Sequence, residues 1–412
     1  MITPPMITPP LIRPLQGGLV LTWVDRPEAL AALDAEWQDL ADRVGADVYM
    51  MPDWFAVWWR HFGAGRRLAC LIARENGVLV GVLPFCVEPL WAGPWRVRMA
   101  RLAGTDPHCI LFRLPVEDRV AADLLLAALE HLTGPLGCGA VSFTPLSDRS
   151  DHLPRLLDLC AQTPQLALHD EPAGSHIVFD LPPDFDSYLG ALSKKRRGQF
   201  RRDVKGLQDQ FAMETTSTVP GATAFDAFVA FHNRQWQAVG RGGHFMDWPG
   251  SAAFYQDIAE CSAARHWVQL HGQTGSGGPL ATQFVLVAGQ TGHWRLPARS
   301  LDPVAERLSA GKVGLLLMIE RLIQEGVTRI EAGRGDYGYK LEYGGHSVAV
   351  HRLIVHPATT TGRLRLRLLL AWSDLLNLLY YRLWFLKLAP RLRKVTGGRP
   401  RPLWRSWIRS RL

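Results

Sequence analysis

The sequence predicts a mixed α/β (α+β) protein. Two similar units stand in tandem, each a mixed, mostly antiparallel sheet flanked by helices, and a basic helical tail follows. Three observations lead there. Strand-like runs alternate with helical periodicities along the chain. Each half contains a hairpin signal, at Glu75-Asn76-Gly77 and at the turn-rich GQTGSGGP of residues 272–279. Cations then crowd into residues 361–412. At 412 residues the chain exceeds one ordinary core and suits two.

The elements follow in order. MITPPMITPP is a tandem pentapeptide whose prolines deny it helix, so residues 1–18 are expected to be disordered. No cationic segment precedes an apolar one there, so it does not read as a secretory signal. Residues 19–24 (LVLTWV) form a strand, and Asp25-Arg-Pro-Glu28 opens a helix reaching about Val44. Aromatics at 54, 55, 58, 59 and 62 share one helical face, read as core. Strands at 68–73 and 78–87 flank the first hairpin turn. Further strands are expected at 96–102, 109–114 and 140–145, with a helix over 119–132. This first domain spans 19–170.

The second, 171–360, repeats the rhythm. A strand covers 175–181, and a helical pair or one long helix covers 185–211. Helices at 224–239 and 251–264 precede the second hairpin (267–271 with 280–288) and a strand at 292–298. Residues 312–325 place Leu315, Leu316, Ile319, Leu322 and Ile323 on one helical face. Gly326 stops that helix, and a strand at 327–332 follows. Six widely spaced cysteines, without a C-x-x-C pair or zinc spacing, are expected to be reduced thiols in a cytosolic protein, with no metal.

Net charge is +8, but residues 361–412 hold thirteen Lys/Arg and one acid, Asp374. The tail is therefore +12 and the rest 33 basic against 37 acidic, or −4. The basic pI belongs to the tail, and the globular body is not expected to bind nucleic acid.

Chemistry concentrates around 300–345. A small-residue loop, Ser309-Ala310-Gly311, enters a helix at Lys312. Free backbone N–H groups, the positive helix end and one lysine would cradle phosphate, although a plain loop-to-helix junction fits equally well. If strand 292–298 splays from strand 327–332, its free edge could pair with an extended amide-rich ligand. Beyond the second strand comes EAGRGDYGYKLEYGG (331–345). Its glycines let backbone approach a substrate while Asp336, Tyr337, Tyr339 and Lys340 face the cleft; a solvated surface turn is the plainer alternative.

Four segments, taken together, resemble the CelD-like ("cellulose biosynthesis") acetyltransferase family, a Fem-related branch of the GNAT acyltransferases. They are residues 49–88, LSKKRRGQFRRDVKGL (192–207), FHNRQWQAVGRGGHF (231–245) and residues 306–345. The chain departs from the family in three places. Ala310 stands where Pro is usual and Glu331 where Asp is usual; Asp106-Pro107-His108 replaces an Asp followed by apolar residues.

The resemblance implies two tandem GNAT-like units and acyl transfer from acetyl-CoA to an amine. Arg307, Ser309, Ala310, Gly311 and Lys312 would hold the coenzyme A pyrophosphate. Asp336 would act as base, Tyr339 as acid, and Lys340 would hold an anionic group. His232 is a second base candidate, or else a core or capping histidine. Arg197, Arg201, Trp236, Arg334 and Tyr337 are expected on the substrate side. The basic helix is a solvated face or a contact for a polyanionic substrate; Phe200 alone does not make a base-stacking platform.

The tail, 361–412, alternates arginines with Leu and Trp, interrupted by Asp374, Asn377 and Arg382. It reads as a cationic amphipathic segment for an anionic membrane surface, as a helix docked on the protein's own body, or as a nucleic-acid contact. The leading functional reading is an acetyl-CoA-dependent N-acyltransferase acting on an envelope or exopolysaccharide precursor, in the cytoplasm or at the inner membrane face. Fem-like aminoacyl transfer from charged tRNA, or a non-catalytic scaffold in polysaccharide synthesis, are its alternatives.

Overall fold

The computed structural model describes residues 13–14, 18–105, 109–238, 243–246, 250–261, 265, 267–388 and 391–392. Residues 1–12, Asp106-Pro107-His108 and the tail from 393 onward, all read above, lie outside these. The chain divides into two compact units.

The first takes in the chain up to Glu171 together with His351–Ser373. Its strands are β1 (Arg13–Pro14), β2 (Leu19–Val24), β3 (Arg67–Glu75), β4 (Val78–Ala92), β5 (Trp95–Leu102), β6 (Ala140–Ser142), β7 (Leu146–Ser147) and the opening of β8 (Leu166–Asp180). Its helices are α1 (Pro27–Ala31), α2 (Asp34–Val44), α3 (Pro52–Phe62), α4 (Ala121–Thr133) and α5 (His152–Gln162). Strands β1 to β5 pair antiparallel in order, and β5 pairs parallel with β6. The β3–β4 turn has Asn76 at φ 50° and Gly77 at φ 85°. Two successive left-handed residues match the twist of the flanking strands, as the Asn-Gly pair predicts. Trp54, Phe55, Trp58 and Phe62 of α3 are buried, so the aromatic stripe is core.

Two expectations are corrected here. The helix expected from Pro27 to Val44 is broken at Ala32 and Leu33 into α1 and α2. Residues 109–114 form no strand but one bridge, Leu111 to Leu146. The backbone N–H groups of Phe112 and Arg113 donate instead to the Asp47 carboxylate, at 2.7 and 2.9 Å. A side chain thus satisfies groups that a neighbouring strand would otherwise take.

The second unit comprises Pro172–Val350 and residues from Asp374. Its helices are α6 (Phe185–Ala191), α7 (Lys194–Phe211), α8 (Ala222–Ala238), α9 (Ser251–Cys261), α10 (Pro303–Arg307), α11 (Ala310–Gln324) and α12 (Gly338–Glu342). Between α6 and α7, Ser193 accepts the Arg196 N–H at 3.3 Å, so this stretch is a helical pair. Its strands are β9 (Glu214–Thr218), β10 (Val268–Gly275), β11 (Gly278–Ala288), β12 (Thr291–Arg299), β13 (Arg329–Arg334), the close of β8 and the opening of β14 (His346–Pro357). The order here is β8-β13-β12-β11-β10-β9, with only β12–β13 parallel. Three antiparallel strands, a helix and a parallel strand occur in both units (β3-β4-β5-α4-β6 and β10-β11-β12-α11-β13). The fold is a mixed α/β one in which a mixed sheet is flanked by helices.

The second core gathers on α11, whose Val313, Leu315, Leu316, Met318, Ile319 and Leu322 cluster with Phe179, Trp294, Ile330 and Tyr343. In the first unit, the closing half of β14 pairs with β6. The helix α13 (Thr360–Leu376) then lays Leu366 and Leu369 against Leu90, Val97, Met99, Ala140 and Ile354. The start of the tail is therefore core. Beyond it a wider, π-type helix covers Asn377–Leu388.

Candidate active site

The site begins where two parallel strands part. Strands β12 and β13 pair through Thr291–Arg329, Gly292–Ile330 and His293–Glu331, and no further, although both continue. The cause is local to β13. Its pairing with β8 shifts register between Glu331 and Arg334, and Gly333 and Gly335 take φ values of 77° and 93°. Only glycine adopts these readily. The Gly333 N–H donates to Glu331 Oε1 at 2.7 Å, fastening the bulge to its own strand. The chain then turns into α12, which projects Lys340 and Tyr339 back at the parting.

Lys340 is 7% exposed, and its Nζ donates to the Ala332 carbonyl. The same Nζ lies 5.0 Å from the ring centres of both Trp294 and Tyr337. Tyr339 meets the Trp294 ring edge-on at 6.4 Å. Burial pushes the Lys340 ammonium down to about 8, and the Glu331 charge opposes that fall. Burial also pushes Tyr339 up to about 12, with the neighbouring Tyr337 adding to it, so the phenol keeps its proton.

Beneath lies a fully buried row drawn from three strands: His293 of β12, Glu331 of β13 and His176 of β8. His176 Nδ1 is 3.4 Å from Glu331 Oε1. Burial works against the Glu331 charge. The hydrogen bond and charge of His176, with the cationic Arg295, outweigh it and hold the carboxyl below its ordinary value. His293 is pushed down to about 3 by burial and stands as a neutral ring.

Asp336 sits on the exposed rim, where Ser175 and Ser347 both donate hydroxyls to its Oδ1, at 2.9 and 2.8 Å. Tyr337 is 57% exposed. Arg334 donates to the Ala173 carbonyl at 3.1 Å.

At the start of α11, Ser309 takes φ 51° and makes no side-chain cap. A carboxylate stands beside it. Asp203 of α7 is 4% exposed and hydrogen-bonded to Ser309 and, at 2.6 Å, to Gln199. Burial raises the Asp203 pKa against those bonds and the charges of Arg202 and Lys312. Ala310 is buried, and a Cβ on Gly311 would lie 3.3 Å from Arg299 Cδ.

Helix α8 covers the edge of β12 beyond the parting. His232 Nδ1 donates to the Pro297 carbonyl at 2.8 Å, and Gln235 Oε1 accepts the Arg299 N–H at 3.0 Å. His232 is buried, and burial pushes it down to about 4. Its Nε2 is 3.1 Å from His244 Nδ1, whose ring Trp236 meets edge-on at 4.9 Å.

Residues 194–341 match the acetyltransferase (GNAT) domain family. This stretch is a GNAT-type acetyltransferase domain. A crystal structure of FemX is similar at a TM-score of 0.59 and 10% identity, over 81% of this chain and 98% of that one. L-PGS from Bacillus licheniformis gives 0.47 and 10% over 82% and 95%. A tandem GNAT protein from the clavulanic acid biosynthesis pathway gives 0.42 and 14% over 82% and 99%. The likeness to FemX shows the fold. No curated protein matches the sequence.

Within the GNAT domain the structure brings Tyr337, Tyr339 and Lys340 together and leaves Arg334 at the end of β13 and Asp336 on the loop before them. His232 and Trp236 belong to the buried aromatic cluster on α8. Arg197 is spent on α6, donating to the carbonyls of Gly190 and Leu192 at 2.7 and 2.6 Å. Arg201 and Arg307 are exposed. Sequence reasoning missed Trp294, His176, His293, Asp203 and Gln235. Trp294 stands in a predicted strand, but only the parting of β12 and β13 shows that it faces Lys340. Among the described residues no group of three or more His, Cys, Asp or Glu could hold a metal ion.

Proposed function

We propose that the GNAT domain transfers an acyl group from acetyl-CoA to an amine at the parting of β12 and β13. The observation supporting this is the buried Lys340, its ammonium at about 8 and aimed between Trp294 and the Ala332 carbonyl. The acceptor nitrogen attacks the acyl carbon and a C–N bond forms. The carbonyl oxygen becomes negative, and a desolvated ammonium donor there stabilises it more than water would. The C–S bond then breaks, the thiolate takes the proton of the Tyr339 phenol, and Asp336 on the rim takes the proton lost by the amine. Ser309–Lys312 and Arg307 take the pyrophosphate. The acceptor is an amine of an envelope or exopolysaccharide precursor, as the CelD-like resemblance implies.

A second reading, Fem-like transfer from an aminoacyl-tRNA, is favoured by two observations. The Pro297 carbonyl and Arg299 N–H, which an extended pantetheine would pair with, are taken by His232 and Gln235. The Asp203 carboxylate beside Ser309 also opposes a diphosphate there. Calorimetry separates the two. Acetyl-CoA should bind, and Gly311→Glu should abolish binding by setting a carboxylate against the phosphates. Absence of heat at millimolar acetyl-CoA, with turnover of charged tRNA, would replace the first reading by the second.

We further propose that the tail from the last turn of α13 onward rests on an anionic membrane surface. Leu375, Leu378, Leu379, Leu383 and Leu388 are 38–50% exposed, among cations that favour such a surface. No helix of the described residues is long and apolar enough to cross a membrane.

A further inference from the structure

Away from the parting, the GNAT domain holds a cavity of about 420 Å³ between the second half of α11 and the sheet edge formed by β9 and β10. Its walls include Thr215, Ser217, His271, Gln273, Glu320 and Arg321. Glu320 lies eight residues beyond Lys312, about 12 Å along the helix, so this is not the start of α11.

Gln273 is 1% exposed, yet among the described residues neither its amide nitrogen nor its amide oxygen has a hydrogen-bond partner. His271, 2% exposed, has an Nε2 in the same condition. Unpaired buried amides are costly and uncommon, so such a group facing a cavity points to something that pairs with it. Helix α11 makes room for this amide. A Cβ on Gly314 would stand 2.6 Å from Gln273 Oε1 and 2.9 Å from Gln283 Nε2, closer than any side chain tolerates.

The buried unpaired groups, those of Gln273 and His271, are neutral. The amide offers one donor and one acceptor side, and His271 is an uncharged imidazole, pushed down to about 4 by burial. Arg321, the cation in the wall, already donates to Glu325 at 2.7 Å. An anionic ligand would find no dedicated cation and would meet the Glu320 carboxylate, and a cationic one would meet Arg321 beside that carboxylate. Hydroxyl groups, each both donor and acceptor, complement an amide, an imidazole and the Thr215 and Ser217 side chains. We infer that this cavity is a second ligand site, for a neutral, hydroxyl-rich molecule the size of a monosaccharide or disaccharide.

Saturation-transfer NMR on the full chain tests it, with glucose, galactose, mannose and N-acetylglucosamine as probes and glycine and inorganic phosphate as controls. At least one sugar should show contact, and Gln273→Leu should weaken its binding at least about tenfold. Because Leu removes an unpaired amide, that variant's apo Tm should not fall. Ser217 pairs directly across from His271 on an exposed strand, so Ser217→Trp should block the cavity without disturbing the core. No contact from any sugar, or contact only from glycine or phosphate, overturns the assignment. Sugar binding that survives both variants places the site elsewhere, and a lowered apo Tm in Gln273→Leu means the amide serves the fold. None of these outcomes depends on the acyl donor.

Discussion

Replacing Lys340 by Met tests whether the ammonium is held in the GNAT domain against its own solvation. The fall from 10.5 to about 8 corresponds to ~3 kcal/mol, at ~1.4 kcal/mol for each tenfold change. That is the net burden of a charged Lys340 in the folded state at neutral pH, after the contacts with Ala332, Trp294, Tyr337 and Glu331 are counted. Met keeps the length and removes the charge, but leaves the Ala332 carbonyl without its donor, costing ~1–3 kcal/mol. Lys340→Met should therefore be as stable as wild type at pH 7, or up to ~2 kcal/mol more so, while acyl transfer is lost. The pH dependence sharpens the test. Between pH 8 and 10.5 the unfolded lysine still binds its proton and the folded one has released it, so wild-type stability rises with pH across that window. The variant should lack that rise. Thermal unfolding of both proteins at pH 7, 8.5 and 10 reads the difference. Parallel curves, or a variant several kcal/mol less stable that still turns over, would refute a functional burial and make Lys340 a structural residue.

Much of the fold was readable because its signals are local. Asn76-Gly77 dictates its own turn, the apolar face of α11 is continuous over four turns, and Gly326 ends it with φ 81°. What stayed hidden depends on partners distant in sequence. The five-residue β9 (ETTST) is exposed throughout and lacks the alternation by which half-buried strands are recognised. The opening half of β14 joins the second unit and its closing half the first, although nothing in HSVAVHRLIVHP marks that division. The tail presented Arg363 and Arg367 with many leucines. Only packing shows that Leu366 and Leu369 are core while Leu378 and Leu379 remain exposed.

For the site, the sequence identified the loop but not the depth. Gly333, Gly335 and Lys340 were legible as a glycine-rich turn carrying a cation. That the lysine would be buried and the aspartate exposed was not, because both are polar residues of one short stretch. Burial there is decided by Trp294, which lies 46 positions upstream of Lys340 and meets it only once β12 and β13 part. Likewise Glu331 read as a departure from a family pattern, whereas its longer side chain closes the Gly333 bulge. His232 was left open between base and core. Its bonds to Pro297 and His244 explain why a histidine is retained at a buried position.

Three further outcomes are expected. Leu369→Ala, at 1% exposure in the α13 core, should lower first-unit stability by about 3 kcal/mol in urea unfolding; a loss under ~1 kcal/mol would mean that α13 is not docked in solution. A chain ending at Leu376 should fold as the full chain does but no longer co-sediment with anionic vesicles, and added salt should weaken binding of the full chain; vesicle binding unchanged by the truncation removes the membrane role. The last concerns Glu331, whose charge supports the Lys340 ammonium against burial. Glu331→Gln keeps an oxygen for the Gly333 N–H, so the bulge should survive, but Lys340 loses its nearby anion. Its ammonium should then release its proton at a lower pH than in wild type. If that ammonium stabilises the developing oxyanion, turnover must fall as it deprotonates, and the alkaline limb of the pH–rate profile should move to lower pH while the acid limb stays. A profile that loses height without moving would show that Glu331 acts through packing alone, and that Lys340 does not set the limb.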